Sequence, residues 1–395
     1  MNKSFDYVIL SQQSWDVEIG SNAKNIAMEI AKHHRVLYVN RPLDMQTLLK
    51  RDAANASFVK NRISKRKSTI ENQITEVSEN LFAFTPKCIL QSINGLPDGS
   101  IYDLANKYNN HLLAKEIKRA LQHLRITEYI LLNDGELFNG FYMNELLDAK
   151  KNLYYFRDYF LAVPYWQKHG IRLEPKLFGR YDGVVCNSEY LADIAREHNQ
   201  NTAFVGQGCD YSYFEATIHD SKYSLNHAKP IVGYVGALNS IRLDVSLLEK
   251  LADANPQWQW VFVGPEDDAF KNSKLHNLNN VTFTGPKKQE ELAGYIAQFD
   301  VAMNPQLVND VTIGNYPRKI DEYLYMGKPT VATKTKAMAM FAEYCYLAED
   351  QKEYEKAIQA ALLETDDELL ANRKAFAASH SWENSVNKIY KAVSA

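Results

Sequence analysis

The sequence has no run of about 18 or more apolar residues, the length a membrane-spanning helix needs, so no transmembrane helix is expected. It has only four cysteines, Cys88, Cys186, Cys209 and Cys345, scattered without metal-ligand spacing. They read as reduced thiols of a cytoplasmic protein. There is no basic excess: formal net charge is −3 and pI about 6.4. A nucleic-acid binder would need a broad basic face, so that partner class is not expected. The N-terminal "MNKSFDYVILSQQSWD" has four consecutive apolar residues, too few for a signal peptide, and reads as a first strand. No Asp-x-Asp cluster stands at a strand end. "EDD" at 266–268 comes nearest and reads as a solvated loop, so no metal site is expected. What remains is 395 residues, 46% hydrophobic and 24% charged, the composition of a soluble globular chain of two or three domains. Its 24 tyrosines fit either packing or stacking surfaces.

Strand, loop and helix signals alternate along the chain. "DYVIL" (6–10), a loop, the helical "NAKNIAMEIAKHH" and "RVLYVN" (35–40) form one βαβ-sized unit, with Ile26, Ala27, Ile30 and Ala31 at helical spacing. Short apolar strands are expected at 81–85, 128–132, 153–156 and 183–186, with another in "NTAFVGQGCD". Ser188 suits a helix N-cap. Residues 48–67 are basic and irregular, and read either as a solvated loop or surface helix or as a contact with anionic headgroups. Residues 211–229 are polar and without pattern, and read as a linker. The alternation then restarts through "PIVGYVGAL", "WQWVFVGP", "VTFTGP", "DVAMNP" and "PTVAT", with helical stretches between them and a helical tail over 367–395. The pattern predicts an α/β protein of two Rossmann-like domains with parallel sheets and a central cleft. The expected boundaries are 1–210 for an N-terminal domain, 211–229 for the linker, 230–375 for a C-terminal domain and 376–395 for a helix returning to the first domain.

"NYPRKIDEYLYMGKPTVAT" (315–333) places Arg318, Lys319 and Glu322 on the first turns of a helix beside the core-like Ile320, Tyr323 and Leu324. Pro317 suits the first helical position, with Tyr316 as a poor cap, and Gly327 suits the position just past the end. Unsatisfied N–H groups, the helix dipole and two cations make an anion site. A carboxylate one turn on can accept from two hydroxyls at once. Phosphate beside a vicinal diol describes the ribose diphosphate of a nucleotide. An ordinary surface helix with a Lys319–Glu322 pair fits the same letters.

These residues resemble the nucleotide-sugar segment of GT-B glycosyltransferases, particularly the bacterial family 4-like enzymes. The pattern there is roughly P-x-K-x-x-E-Y-x-x-x-G-K-P-x-V, matched by Pro317, Lys319, Glu322, Tyr323, Gly327, Lys328, Pro329 and Val331. "VGYVGAL" resembles the strand and glycine turn that open the family's second domain, which brings in Gly236, and "VGQGCD" resembles the turn that ends its first. "SWENSVNKIYKAV" resembles its crossing helix. The resemblance covers 181–395 well and the N-terminal half mainly in its opening βαβ unit. One departure stands out: the family often has two glutamates with seven residues between them, and counting back from Glu322 gives Gly314 in place of the first.

The resemblance implies a retaining, metal-independent transfer from a UDP- or GDP-linked sugar, with no cofactor, to a glycan or lipid-linked acceptor in cell-surface polysaccharide synthesis. Lys319, Arg242 and Asp158 are the expected catalytic residues. Glu322, Arg318, Gly314, Asn315, Gly285, Pro286 and Gly236 are expected at the donor, with Lys287 in the same turn as Gly285 and Pro286. Trp15, Asp16, Gly20, Ser21 and Arg157 are expected at the acceptor, with Asp134 and Glu136 as weaker candidates. Each has a plain structural alternative, such as a packed tryptophan for Trp15 and a strand-end ion pair for Arg157 and Asp158. The expected location is cytoplasmic, with peripheral membrane contact through 48–67. A non-hydrolysing-type sugar-nucleotide epimerase and an inactive nucleotide-sugar-binding protein are the competing readings.

Overall fold

The computed structural model describes residues 5–17, 20–50, 56–212, 214, 225, 228–310, 312–314 and 316–394. Most of the segment 211–229, and Asn315, lie outside the described residues. The chain divides into two units, one of residues 1–206 with 385–395 and one of residues 207–384.

The first unit is built on an eight-stranded sheet. Its strands run in the order Thr202–Phe204, Gly183–Cys186, Lys151–Phe156, Tyr129–Asp134, Asp6–Ser11, Val36–Val39, Leu81–Phe84, Ile74–Ser78. Neighbours pair in parallel except the edge strand Ile74–Ser78, which runs antiparallel to Leu81–Phe84. The inner strands are buried along nearly their whole length, as parallel strands covered on both faces must be. One face is covered by two helices that the apolar spacing alone does not announce, Ser100–His123 and Pro164–Arg180. The first of these buries Asn106, Asn109 and Asn110 among its apolar residues. Each amide is matched by hydrogen bonds, as when Asn110 Nδ2 donates to Phe138 O at 3.0 Å and its Oδ1 accepts from Tyr142 N at 3.0 Å. The basic stretch 48–67 is not irregular throughout, since Met45–Lys50 and Ala56–Arg66 are helical. Arg62 within it is buried.

The second unit is a six-stranded, wholly parallel sheet in the order Val281–Phe283, Gln259–Val263, Ile231–Val235, Val301–Asn304, Thr330–Thr333, Tyr346–Ala348. Counted along the chain this is 3-2-1-4-5-6, the dinucleotide-fold order, with its crossover switch beside strand Ile231–Val235. Strand alternation divides the core in two. Val232, Tyr234, Trp260, Phe262 and Met303 meet Leu248, Leu251, Tyr354 and Ile358 of the helices Val245–Ala254 and Gln351–Leu362. Val235, Val261, Val263 and Ala302 meet Ile296, Ile320 and Leu324 of Gln289–Ile296 and Arg318–Tyr325. Helix Trp382–Ser394 closes the chain, and its residues from Ser385 onward belong to the first unit.

Candidate nucleotide-sugar site

Helix Arg318–Tyr325 is fixed at both ends by its own sequence. Gly327 sits at φ +69°, its N–H donates to Leu324 O at 2.9 Å, and Lys328 N–H donates to Tyr323 O at 2.9 Å. These two bonds form a Schellman motif, for which glycine is the residue without steric cost. At the other end Pro317 is the cap residue itself, one position earlier than the spacing predicts, and no side chain caps the helix. Tyr316 faces inward: its hydroxyl donates to Asp321 Oδ2 at 2.7 Å, and His380 Nδ1 lies 2.7 Å from Asp321 Oδ1. Tyr323 fastens the helix to the sheet, its hydroxyl accepting from Val235 N–H at 2.9 Å.

The outward charges do not pair as Lys319 with Glu322. The ion pair is Arg318 Nε to Glu322 Oε1 at 3.3 Å. Lys319 Nζ instead donates to the Tyr234 hydroxyl at 2.9 Å and lies 4.8 Å from the centre of that ring. Gly236 makes room for it. Its φ is +135°, and a Cβ there would stand 2.9 Å from both Lys319 Cε and Nζ. Gly264, at φ +149°, crosses Gly236 so closely that a Cβ would meet Gly236 O at 2.0 Å. Both glycines are required by close backbone approach.

Around these groups lies a cavity of about 570 Å³, within the ordinary range of small-molecule sites. Arg242, Lys319, Arg318, Glu322, Gly236 and Lys287 all line it. Burial pushes the Glu322 carboxyl up, and the neighbouring Arg318 and Lys319 charges act against that shift. Arg242 reaches the cavity from an exposed loop whose position rests on Asp267. That carboxylate accepts from Ser240 N–H and Oγ, each at 2.7 Å, and caps the short helix Asp268–Lys271. The "EDD" stretch is therefore a tether and a cap rather than a free loop. Gly314 is buried between Thr312 and Tyr316, both of which line the cavity. Gly285 takes φ +70° in the turn that precedes Pro286 and Lys287. Tyr234, Asn304 and Gln306 also line the cavity and carry no recognisable motif.

The remaining sequence candidates lie in the first unit. Arg157 Nε donates to the buried Asp134 at 2.8 Å, and its other arm binds Asp158. Burial disfavours the Arg157 charge, but the two carboxylates outweigh it and raise its pKa. Asp158 keeps a partly exposed carboxylate. Asp16 is bound by the buried Arg62 through two bonds, of 2.6 and 3.1 Å. Burial works against its charge, yet the Arg62 bonds hold its pKa below the usual carboxylate range. Trp15 packs edge-on against Tyr38 at 5.1 Å, and its backbone N–H donates to Asn40 Oδ1 at 2.7 Å. Ser21 caps helix Asn22–Ala31 by accepting from Lys24 N–H, and Gly20 has open space about it. Among the described residues no group of three or more His, Cys, Asp or Glu is arranged to hold a metal ion, and no helix is long and apolar enough to cross a membrane.

Residues 229–364 match the family model described as glycosyl transferases group 1. A candidate teichuronic acid biosynthesis glycosyltransferase, TuaH of Bacillus subtilis (strain 168), is 25% identical over 233 residues, covering 55% of this chain and 58% of the relative. The chain thus matches less than two thirds of that relative's length. Among solved structures, sucrose-phosphate synthase from Thermosynechococcus elongatus aligns with a TM-score of 0.67 at 15% identity, over 99% of this chain and 98% of that one. Anabaena HepE in complex with UDP aligns with a TM-score of 0.68 at 17% identity, over 99% of this chain and 100% of that one. Residues 229–364 thus resemble the glycosyl transferases group 1 family, and the chain as a whole has the GT-B fold of these solved structures.

Proposed function

We propose that this chain transfers a sugar from a nucleoside diphosphate sugar to a glycan or lipid-linked acceptor in cell-surface polysaccharide synthesis, with retention and without a metal. The observation that carries this reading is the meeting of Arg242, Lys319, Arg318 and Glu322 on one cavity of a 3-2-1-4-5-6 sheet. Breaking the bond from the anomeric carbon to phosphate leaves a cation-like sugar and a diphosphate of growing negative charge. Lys319, Arg242, Arg318 and the uncapped helix start supply preorganised positive potential for that charge. Glu322 accepts from the ribose hydroxyls, and the turn at Gly285, Pro286 and Lys287 faces the base. Gly314 brings backbone to the donor, and Asp158 contacts a sugar hydroxyl. The HepE complex holds UDP, which favours a UDP-linked donor here. The similarity to TuaH, named for teichuronic acid biosynthesis, favours a polysaccharide as the product. A cytoplasmic enzyme working at the inner membrane face, through the basic segment 48–67, fits this role.

A thermal-shift screen of UDP, GDP, ADP and their sugars tests the reading. One nucleotide class should raise the melting temperature in a concentration-dependent way. Its sugar should then release free nucleoside diphosphate only when acceptor is present. Isomerisation of the donor without release would replace this reading with the epimerase, and binding of none of the nucleotides would end it.

A further inference from the structure

The first unit holds a cavity of its own, of about 380 Å³. It lies at the C-terminal ends of that unit's strands, where open α/β sheets bind ligands. Gln12 follows strand Asp6–Ser11, Arg41 follows Val36–Val39, and Glu136 follows Tyr129–Asp134 through Gly135 at φ +69°. None of Trp15, Asp16, Gly20, Ser21 and Arg157 lines it.

Its chemistry differs from that of the donor site. Among the described lining residues Arg41 is the one cation, and Asp44 Oδ2 stands 3.5 Å from it. That balance suits a neutral ligand better than a diphosphate. Amide side chains make up much of the wall, with the rings of Tyr102, Phe138 and Trp166 beside them. Glu136 is almost fully buried, and one of its oxygens accepts from Asn139 Nδ2 at 3.1 Å. Asn94 is held in place by Nδ2 donating to Tyr165 O at 3.3 Å, while its Oδ1 is buried without a hydrogen-bond partner among the described residues. A buried acceptor without a donor is costly unless a ligand supplies one. Hydroxyl groups carry both donors and acceptors, and the apolar face of a pyranose stacks on aromatic rings.

The cavity continues into an open groove of about 720 Å³, with Gln46, Gln91, Ser92, Ile93 and Gly95 common to both. The groove adds Met45, Leu49, Leu96 and the cation Lys50, and Leu49 is 71% exposed. A polar, sugar-sized chamber opening into a largely apolar trough has the shape of an amphiphile.

We propose that the first unit binds an amphiphilic saccharide, its sugar ring at Glu136 and Asn94 and its apolar chain along Met45, Leu49 and Leu96. Calling this ligand the acceptor rests on the transferase reading; the binding does not. The test is calorimetric titration of the full chain with methyl and n-octyl glycosides of glucose, galactose and N-acetylglucosamine, below micelle concentrations, with 1-octanol as a control. At least one octyl glycoside should bind about tenfold or more tighter than its methyl partner, the effect of burying two methylenes. Leu49→Asp should erase that advantage and leave the methyl glycoside unchanged. Glu136→Gln should weaken both glycosides about tenfold. UDP binding, measured on the same samples, reports on the second unit and on folding. Equal affinity for methyl and octyl forms, octanol binding as tightly as the octyl glycosides, or no glycoside binding would each overturn the proposal. Failure of UDP, GDP and ADP all to bind, with glycoside binding intact, would overturn the transferase reading instead.

Discussion

Removing the Lys319 ammonium is the most direct perturbation of the proposed donor site. Lys319 spans from helix Arg318–Tyr325 to the glycine turn, where its Nζ meets the Tyr234 hydroxyl at 2.9 Å and fits against Gly236 because that residue has no Cβ. In Lys319→Ala the tyrosine keeps its other bond, the hydroxyl donating to Ala237 O at 3.2 Å, so no buried group is orphaned. The change should therefore report on ligand rather than on folding. A charge about 4 Å from a phosphate oxygen interacts by about 4 kcal/mol at an effective dielectric of 20. Desolvation offsets much of this, and a hydrogen bond to a charged group nets about 1.5–3 kcal/mol. The nucleoside diphosphate Kd should rise by roughly 10- to 150-fold. Calorimetric titration of UDP and GDP into both proteins, with thermal melts to confirm an unchanged fold, provides the measurement. A Kd within twofold of the wild type for the bound nucleotide would refute the placement of the diphosphate at this helix.

Three further outcomes follow from the same geometry. Glu322→Gln should weaken UDP about tenfold, and the preference for UDP over 2′-deoxy-UDP should shrink with it; an undiminished preference would separate Glu322 from the ribose. Asp321→Ala removes the buried partner of both Tyr316 and His380 and should cost about 3–5 kcal/mol in urea unfolding; a loss below about 1 kcal/mol would show that the cluster is not structural. Glu174 is buried on helix Pro164–Arg180, and burial lifts its carboxyl from 4.5 to about 8. Its folded pKa exceeds its unfolded one, so the neutral form's contribution is complete below pH 4.5 and is lost as pH rises toward 8. The stability difference between Glu174→Gln and wild type should grow by about 1.4 kcal/mol per pH unit across that window, and parallel pH profiles would contradict it.

Legibility in the sequence followed the kind of burial each region uses. The parallel strands could be read because burial on both faces demands short, continuous apolar runs such as Val36–Val39 and Leu81–Phe84. Helix Arg318–Tyr325 could be read because Arg318, Lys319 and Glu322 break the expectation for a core helix while Ile320, Tyr323 and Leu324 satisfy it. The helix Ser100–His123 escaped because buried asparagines replace apolar residues on its inner face, and their hydrogen-bond partners lie elsewhere in the chain. The same is true of Arg62, a residue of a basic stretch whose charge is spent inward on Asp16, 46 positions away. The tethers of the proposed donor site are just as remote in sequence. Asp267 holds the Arg242 loop from 27 positions beyond Ser240, and His380 reaches Asp321 across 59. Local pattern exposes the groups that would meet a ligand, because they are out of place where they stand. It hides the groups that aim them, because a buried tether is recognised only by its partner, and the partner is supplied by the fold.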